Sequence, residues 1–263
     1  MDVIEFGAAL VDTGDLDPVY IALFGSNLKE KQLLRWLLAY WMYYHSGVAS
    51  LLSELEGESY YGRMREEEFP RGRERRHFRA DSVEKFVDFA ERNFTGPENA
   101  VESLLGPGGD FPMSYDNFES KIGRFPGFGP WITYKAADML ERLGLSRIHF
   151  PASDLNWYKE PRLGATFARE DFLKLGVTGL YDVQRVSDAL LRSLSPRLAP
   201  PRYERPLGVQ EVETVLCKYK AFRHKRYSVG YDINAIRKDL SARDWGVTAR
   251  RFLSFMPKEV ITD

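Results

Sequence analysis

Cysteine is almost missing from this chain: Cys217 is the single one in 263 residues. A disulfide framework, a structural zinc site or an iron–sulfur cluster built from this chain alone is thereby excluded, and a reducing cytoplasm is the expected setting. A long apolar run is missing too. The opening stretch MDVIEFGAALVDTGDLD is acidic and has no basic flank, so it reads as neither a signal peptide nor a membrane span. The Asn93-Phe94-Thr95 sequon then carries no expected meaning. No convincing alternating strand pattern occurs, no internal repeat, and no Gly-x-x-x-x-Gly-Lys-Ser/Thr phosphate loop. Excess positive charge is also lacking, since the net charge is −1. That total argues against a polyanionic partner until the distribution of charge is considered.

What is present describes a globular helical protein. Apolar content of 44% and charge of 29% suit one large or two small domains with a sizeable core. From Leu28 to Leu55, apolar residues recur at Leu33, Leu34, Leu37, Leu38, Trp41 and Met42 with the period of a helix. His45 within this run reads as a satisfied core histidine rather than a catalytic one. Further helices are expected over 81–93, over 95–105, from about Tyr115, over 130–143 ending at Gly144, over 181–194, and as two or three more after residue 208. Residues 145–165 read as short and irregular. The fold class expected is all-α. Residues 1–28 read as an N-terminal extension, 29–195 with 209–256 as one helical unit of one or two lobes, and the proline-rich 196–208 as a connector.

The stretch RFPGFGPWITYKAADML, residues 124–140, opens a helix with Pro126-Gly127-Phe128-Gly129-Pro130. Two glycines allow positive φ and close backbone approach, and Pro130 presets the first helical turn. The free N–H groups of such a helix start suit a phosphate. An ordinary turn between helices is the plainer alternative.

Positive charge is gathered in two runs. RGRERRHFR holds Arg71, Arg73, Arg75, Arg76 and Arg79 with His77 against one glutamate. KYKAFRHKR holds Lys218, Lys220, Arg223, Lys225 and Arg226 with His224 and no acid. Both are interleaved with aromatics, Phe78 in the first and Tyr219 and Phe222 in the second, and aromatics beside cations can stack on bases. Charge runs are often solvated faces, and the REEE at Arg65–Glu68 could pair with part of the first. Dense arginine in a glycine-punctuated loop nevertheless points to an anion site.

The Pro-Gly-x-Gly hairpin, its helix, and an aspartate about two dozen residues on, Asp154, together resemble the helix-hairpin-helix DNA glycosylase superfamily. That resemblance implies a glycosylase-like helical fold in which Gly127, Phe128, Gly129 and Trp131 meet the DNA and Asp154 faces a flipped-out base. Trp131 stands where lyase-competent members carry a Schiff-base lysine, which speaks against lyase chemistry, and Lys135 is not assigned that role. A closer resemblance rests on FPRGRERRHFR, AYWMYYHSGVASLL, FPGFGPWITYKAADML and LCKYKAFRHKRYSVGYDI. Together these are similar to the phage thymine pyrophosphorylases, also called amino acid:DNA transferases, which share a helical domain with 5-hydroxymethyluracil DNA kinases. The resemblance covers residues 30 to 240 and implies a phage enzyme at work in the bacterial cytoplasm.

What it implies chemically is displacement of pyrophosphate from 5-hydroxymethyluracil in double-stranded DNA by an amine, an amino acid or putrescine. Arg71, Arg73, Arg75, Arg76 and Arg79 would neutralise the departing oxygens. A Mg²⁺ ion could assist, with no dedicated metal cage visible. Asp154 could orient the ammonium group, take its proton or stabilise charge on the ring, and it also suits the cap of a helix. His77, its protonation disfavoured by neighbouring arginines, is a second candidate base, and Asp138 a weaker one. Gly127, Phe128, Gly129, Trp131, Lys218, Lys220, Arg223, Lys225 and Arg226 would contact DNA. The alternatives are a monofunctional glycosylase excising a modified base, and a non-catalytic DNA-binding module.

Overall fold

The computed structural model describes residues 1–75, 78, 80–106, 112–150 and 159–260. Among these residues the chain is helical: α1 (Val3–Thr13), α2 (Pro18–Ser26), α3 (Glu30–Tyr43), α4 (Ser46–Ser53), α5 (Gly57–Glu66), α6 (Ala80–Asn93), α7 (Pro97–Glu102), α8 (Tyr115–Ile122), α9 (Pro130–Arg142), α10 (Lys159–Lys174), α11 (Val183–Leu194), α12 (Val209–Arg223), α13 (Tyr231–Ser241) and α14 (Val247–Phe255). Two residues of β1 (Met113–Ser114) pair in parallel with two of β2 (Ile148–His149). The all-α expectation holds. Backbone contacts divide the chain into one unit of residues 1–21, 150–235 and 256–263, and another of 22–149 and 236–255.

In the first unit, α1 starts with a reciprocal cap. The Asp2 carboxylate accepts from the Ile4 and Glu5 amides at 2.8 and 2.9 Å, and Glu5 accepts from the Asp2 amide at 3.1 Å. Gly14, at φ 78°, ends the helix. The buried face of α1, Val3, Phe6 and Leu10, packs into a core shared with Phe172 of α10, Leu190 of α11 and Leu216 of α12. Residues read from the sequence as an extension thus carry core side chains. Gly164 lets α10 and α12 approach closely, because a Cβ there would stand 2.0 Å from the Leu216 carbonyl oxygen. Part of the stretch read as irregular is therefore helix from Lys159 onward. Pro161 did not prevent it, since in a first turn proline loses no hydrogen bond.

The second unit is built on α3. Leu34, Leu37, Leu38, Trp41 and Met42 are buried as their periodicity requires, and Trp36 stacks between Tyr40 and Phe252 at 4.9 and 5.4 Å. The run from Leu28 to Leu55 is two helices, not one. Tyr44 takes the left-handed conformation at φ 50°, and His45 then caps α4, its Nδ1 accepting from the Val48 amide at 3.3 Å. Gly47 follows because the Trp245 indole lies where its Cβ would be, 2.5 Å away. Burial holds His45 below the ordinary imidazole range, so the neutral ring serves as the cap.

Candidate functional site

The hairpin between α8 and α9 forms as its composition suggests. Ser114 caps α8, accepting from the Asn117 amide at 3.3 Å. The chain then turns through Phe125 N–H to the Ile122 carbonyl (2.9 Å) and Phe128 N–H to the Phe125 carbonyl (3.1 Å). The two glycines do different work. Gly127 has φ 80°, and a Cβ on it would meet the Phe78 ring at 2.2 Å. Gly129 precedes Pro130 with open space about it and, as the cap residue of α9, has no side chain to offer the helix's first amides. Phe128, expected at the DNA, is instead buried, 5.5 Å from the Phe125 ring and 6.0 Å from that of Phe86. Trp131 is half-buried and meets Tyr44 edge-on at 4.9 Å.

The arginine loop is pinned to the end of α3. The Gly72 amide donates to the Tyr43 carbonyl at 2.8 Å, and a Cβ at Gly72 would stand 2.1 Å from the Tyr44 carbonyl oxygen. A short 3₁₀ turn, Arg73–Arg75, then leads into Phe78. The loop's arginines therefore part company. Arg73 is exposed and Arg71 half-buried, whereas Arg75 is 7% exposed and turned inward. Arg75 Nη1 donates to the Gly127 carbonyl at 2.9 Å and Nε to the Met42 carbonyl at 3.2 Å. Its guanidinium lies 4.2 Å from the Phe78 ring centroid, and burial pushes its pKa down to about 10. Arg71 stands near Tyr43, whose phenol burial holds well above its usual range. Glu67 pairs with Arg63 at 2.6 Å and with Arg243 at 3.4 Å, and Arg65 pairs with Asp88 and Glu91, both at 2.8 Å, so these members of the REEE run are committed elsewhere. Arg76, His77 and Arg79 lie outside the described residues, as does Asp154.

The second basic run, in the other unit, divides in the same way. Lys218 is drawn inward: its ammonium donates to the Asp15 carbonyl oxygen at 2.5 Å and pairs with Asp232 at 2.6 Å. Burial opposes its charge, yet Asp232 and Asp15 hold Lys218 above the ordinary lysine range. Lys220 pairs with Glu160 at 3.6 Å. Arg223 lies between Glu170 (3.1 Å) and Asp171 (3.3 Å) and over the Phe167 ring at 4.8 Å. The interleaved aromatics are core, not stacking platforms: Phe6 packs on Tyr219 at 5.4 Å and on Phe222 at 4.9 Å. His224, Lys225 and Arg226 are exposed.

Asp138, a weaker candidate base, belongs to an ion cluster on α9. Asp138, fully buried, lies 3.8 Å from both Lys135 and Arg142, at the three- and four-residue spacings that put all three on one helix face. That spacing was the available signal. Among the described residues, no group of three or more His, Cys, Asp or Glu is placed to hold a metal ion. No helix among them is long and apolar enough to cross a membrane.

Over almost its whole length the chain is similar to two phage transferases. The chain is 33% identical to a glycinyltransferase of Pseudomonas phage PaMx11, over 98% of this chain and 97% of that protein. It is 27% identical to a putrescinyltransferase of Delftia phage PhiW-14, over 99% of this chain and 84% of that protein. The profile of the family described as amino acid:DNA transferase matches residues 11–227, a span that takes in the hairpin, the arginine loop and the whole of the second basic run, and the chain belongs to that family.

Proposed function

We propose that this chain transfers a primary amine, either an amino acid such as glycine or a polyamine such as putrescine, onto the exocyclic methylene of pyrophosphorylated 5-hydroxymethyluracil in double-stranded DNA. A C–N bond forms as the C–O bond to pyrophosphate breaks. The leaving group departs with that bond's electron pair, and the amine's ammonium form first gives up a proton, freeing the nitrogen lone pair that makes the new C–N bond. The observation that carries this reading is the near full-length likeness to two phage enzymes, one named for glycine and one for putrescine. An amine is what those two molecules share.

In this reading Arg71 and Arg73, with Arg76 and Arg79 of the same loop, neutralise charge building on the pyrophosphate oxygens. Asp154 orients the ammonium group or accepts its proton, with a neutral His77 as the other candidate base. The open start of α9 at Gly129 and the half-buried Trp131 meet the DNA, and extrusion of the modified nucleotide at a few kcal/mol exposes its methylene. Lys225 and Arg226 engage the backbone. Lys218, Lys220 and Arg223 already face carboxylates at 2.6–3.6 Å, and Phe128 belongs to the core, so these four are left out of the contact set. The bacterial cytoplasm is where a phage-encoded enzyme would meet such DNA.

The test is to incubate the protein with DNA carrying pyrophosphorylated 5-hydroxymethyluracil and either glycine or putrescine, digest to nucleosides and weigh the products. A nucleoside heavier by the amine is expected. An abasic site would replace transfer with base excision, and unchanged nucleosides would leave a DNA-binding module.

A further inference from the structure

Three stretches far apart in sequence meet at the Arg75 side chain. Its Nε donates to the Met42 carbonyl at the end of α3, and its Nη1 to the Gly127 carbonyl in the hairpin. Its plane is enclosed by the ring of Phe78, 4.2 Å away on its own loop, and the ring of Phe128, 5.7 Å away on the hairpin. The local backbone supports the same junction: the Arg75 amide donates to the Gly72 carbonyl at 2.9 Å, and the Phe78 amide to the Arg75 carbonyl at 2.8 Å. Gly127, where Phe78 leaves no room for a Cβ, completes the contact.

Nothing negative answers this guanidinium among the described residues. Among the described residues Nη2 has no hydrogen-bond partner, and burial works against its charge. Burying a cation without a carboxylate is costly, and an apolar side chain of similar length would fill the same space more cheaply. An aliphatic replacement could not hold two backbone carbonyls 85 residues apart in sequence at a fixed separation, whereas a forked, planar donor does so through charge-assisted bonds.

We infer that Arg75 is a positioning residue, a brace fixing the turn into α9 against the loop that presents Arg71 and Arg73, and not itself a ligand of pyrophosphate or DNA. The functional part of this inference rests on the transfer reading above; the structural part stands without it. Holding the hairpin carbonyl sets the path of the next residues, Phe128 to Pro130, and so where the first turn of α9 lies relative to the loop arginines. Such mutual placement governs transfer rate more than substrate affinity.

The experiment uses the full chain with Arg75→Met and Arg75→Lys. Amide hydrogen exchange in a peptide spanning 125–132 is expected to quicken at least about 10-fold in Arg75→Met, while α12 peptides exchange as in the parent. Turnover with the pyrophosphorylated DNA and glycine should fall at least about 10-fold, with KM for glycine within about 3-fold. The slope of log Kd against log salt for duplex DNA should not change, because no phosphate contact is lost. Arg75→Lys, which keeps one of the two carbonyl bonds, should fall between, and it carries the same comparisons should the methionine variant not fold. Unchanged exchange at 125–132 overturns the brace. So does a salt slope shallower by about 0.9, which would assign Arg75 to a phosphate. If the parent protein itself transfers nothing, the proposed function fails while exchange and salt slope still decide the brace.

Discussion

The ring of Phe78 occupies the place where a side chain on Gly127 would project, 2.2 Å from the Cβ that glycine lacks. Gly127 also holds φ 80°, so two separate demands exclude any other residue there. Gly127→Ala is expected to cost about 3 kcal/mol of stability, read by urea unfolding. Adding Phe78→Ala should remove the collision and leave the backbone strain, giving a coupling of at least about 1 kcal/mol in the double-mutant cycle. Strict additivity would show that the ring does not dictate the glycine.

Stability should fall in mild acid because of His45. Its folded pKa lies below the ordinary 6.5, so in that region the unfolded chain binds the proton more readily. The cap on Val48 N–H is thus fully present above pH 6.5 and is lost as pH falls toward the folded value. Melting temperature is expected to decline through this window, and His45→Asn, which keeps a capping oxygen, should flatten that part of the profile. A histidine variant with the same pH slope as the parent would disprove the assignment.

Asp15 should be among the costliest single carboxylates to remove. It is fully buried and accepts from Tyr227 Oη at 2.7 Å, Gly230 N–H at 2.6 Å and Ile233 N–H at 3.1 Å. Asp15→Ala would orphan these donors and unbalance Lys218, at about 3–5 kcal/mol. Chemical denaturation that shifts by less than about 1 kcal/mol would mean that water replaces the carboxylate there.

Salt dependence sorts the second basic run. Lys225→Met and Arg226→Met should each make the slope of log Kd against log salt shallower by about 0.9, at nearly constant stability. Lys218→Met should do the reverse, lowering stability and leaving the slope alone, since its ammonium is held between Asp15 and Asp232. Equal slope changes at all three positions would return Lys218 to the DNA.

Much of the helical scaffold can be read from residue spacing. The buried stripe of α3, the start of α9 at Pro130 and its stop before Gly144 follow from apolar period, proline and glycine alone. The need for glycine at position 47 could not be read this way, because the Trp245 indole that fills the place of its Cβ comes from about two hundred residues away. The start of α10 was likewise hidden, since Pro161 and Gly164 look like breakers until α12 is there to pack against. The capping box at Asp2 and Glu5 was a legible sign of α1, and only its packing makes those residues core.

By itself the sequence determined that the chain is helical, that a glycine hairpin opens α9, and which family it joins, because local periodicity, turn chemistry and ordered motifs are properties of the chain. Only tertiary structure decided which cations face outward. Arg73 and Arg75, or Lys218 and Arg226, are alike as letters, and their charges differ in use because one of each pair meets carbonyls or carboxylates brought from elsewhere in the fold while the other meets water.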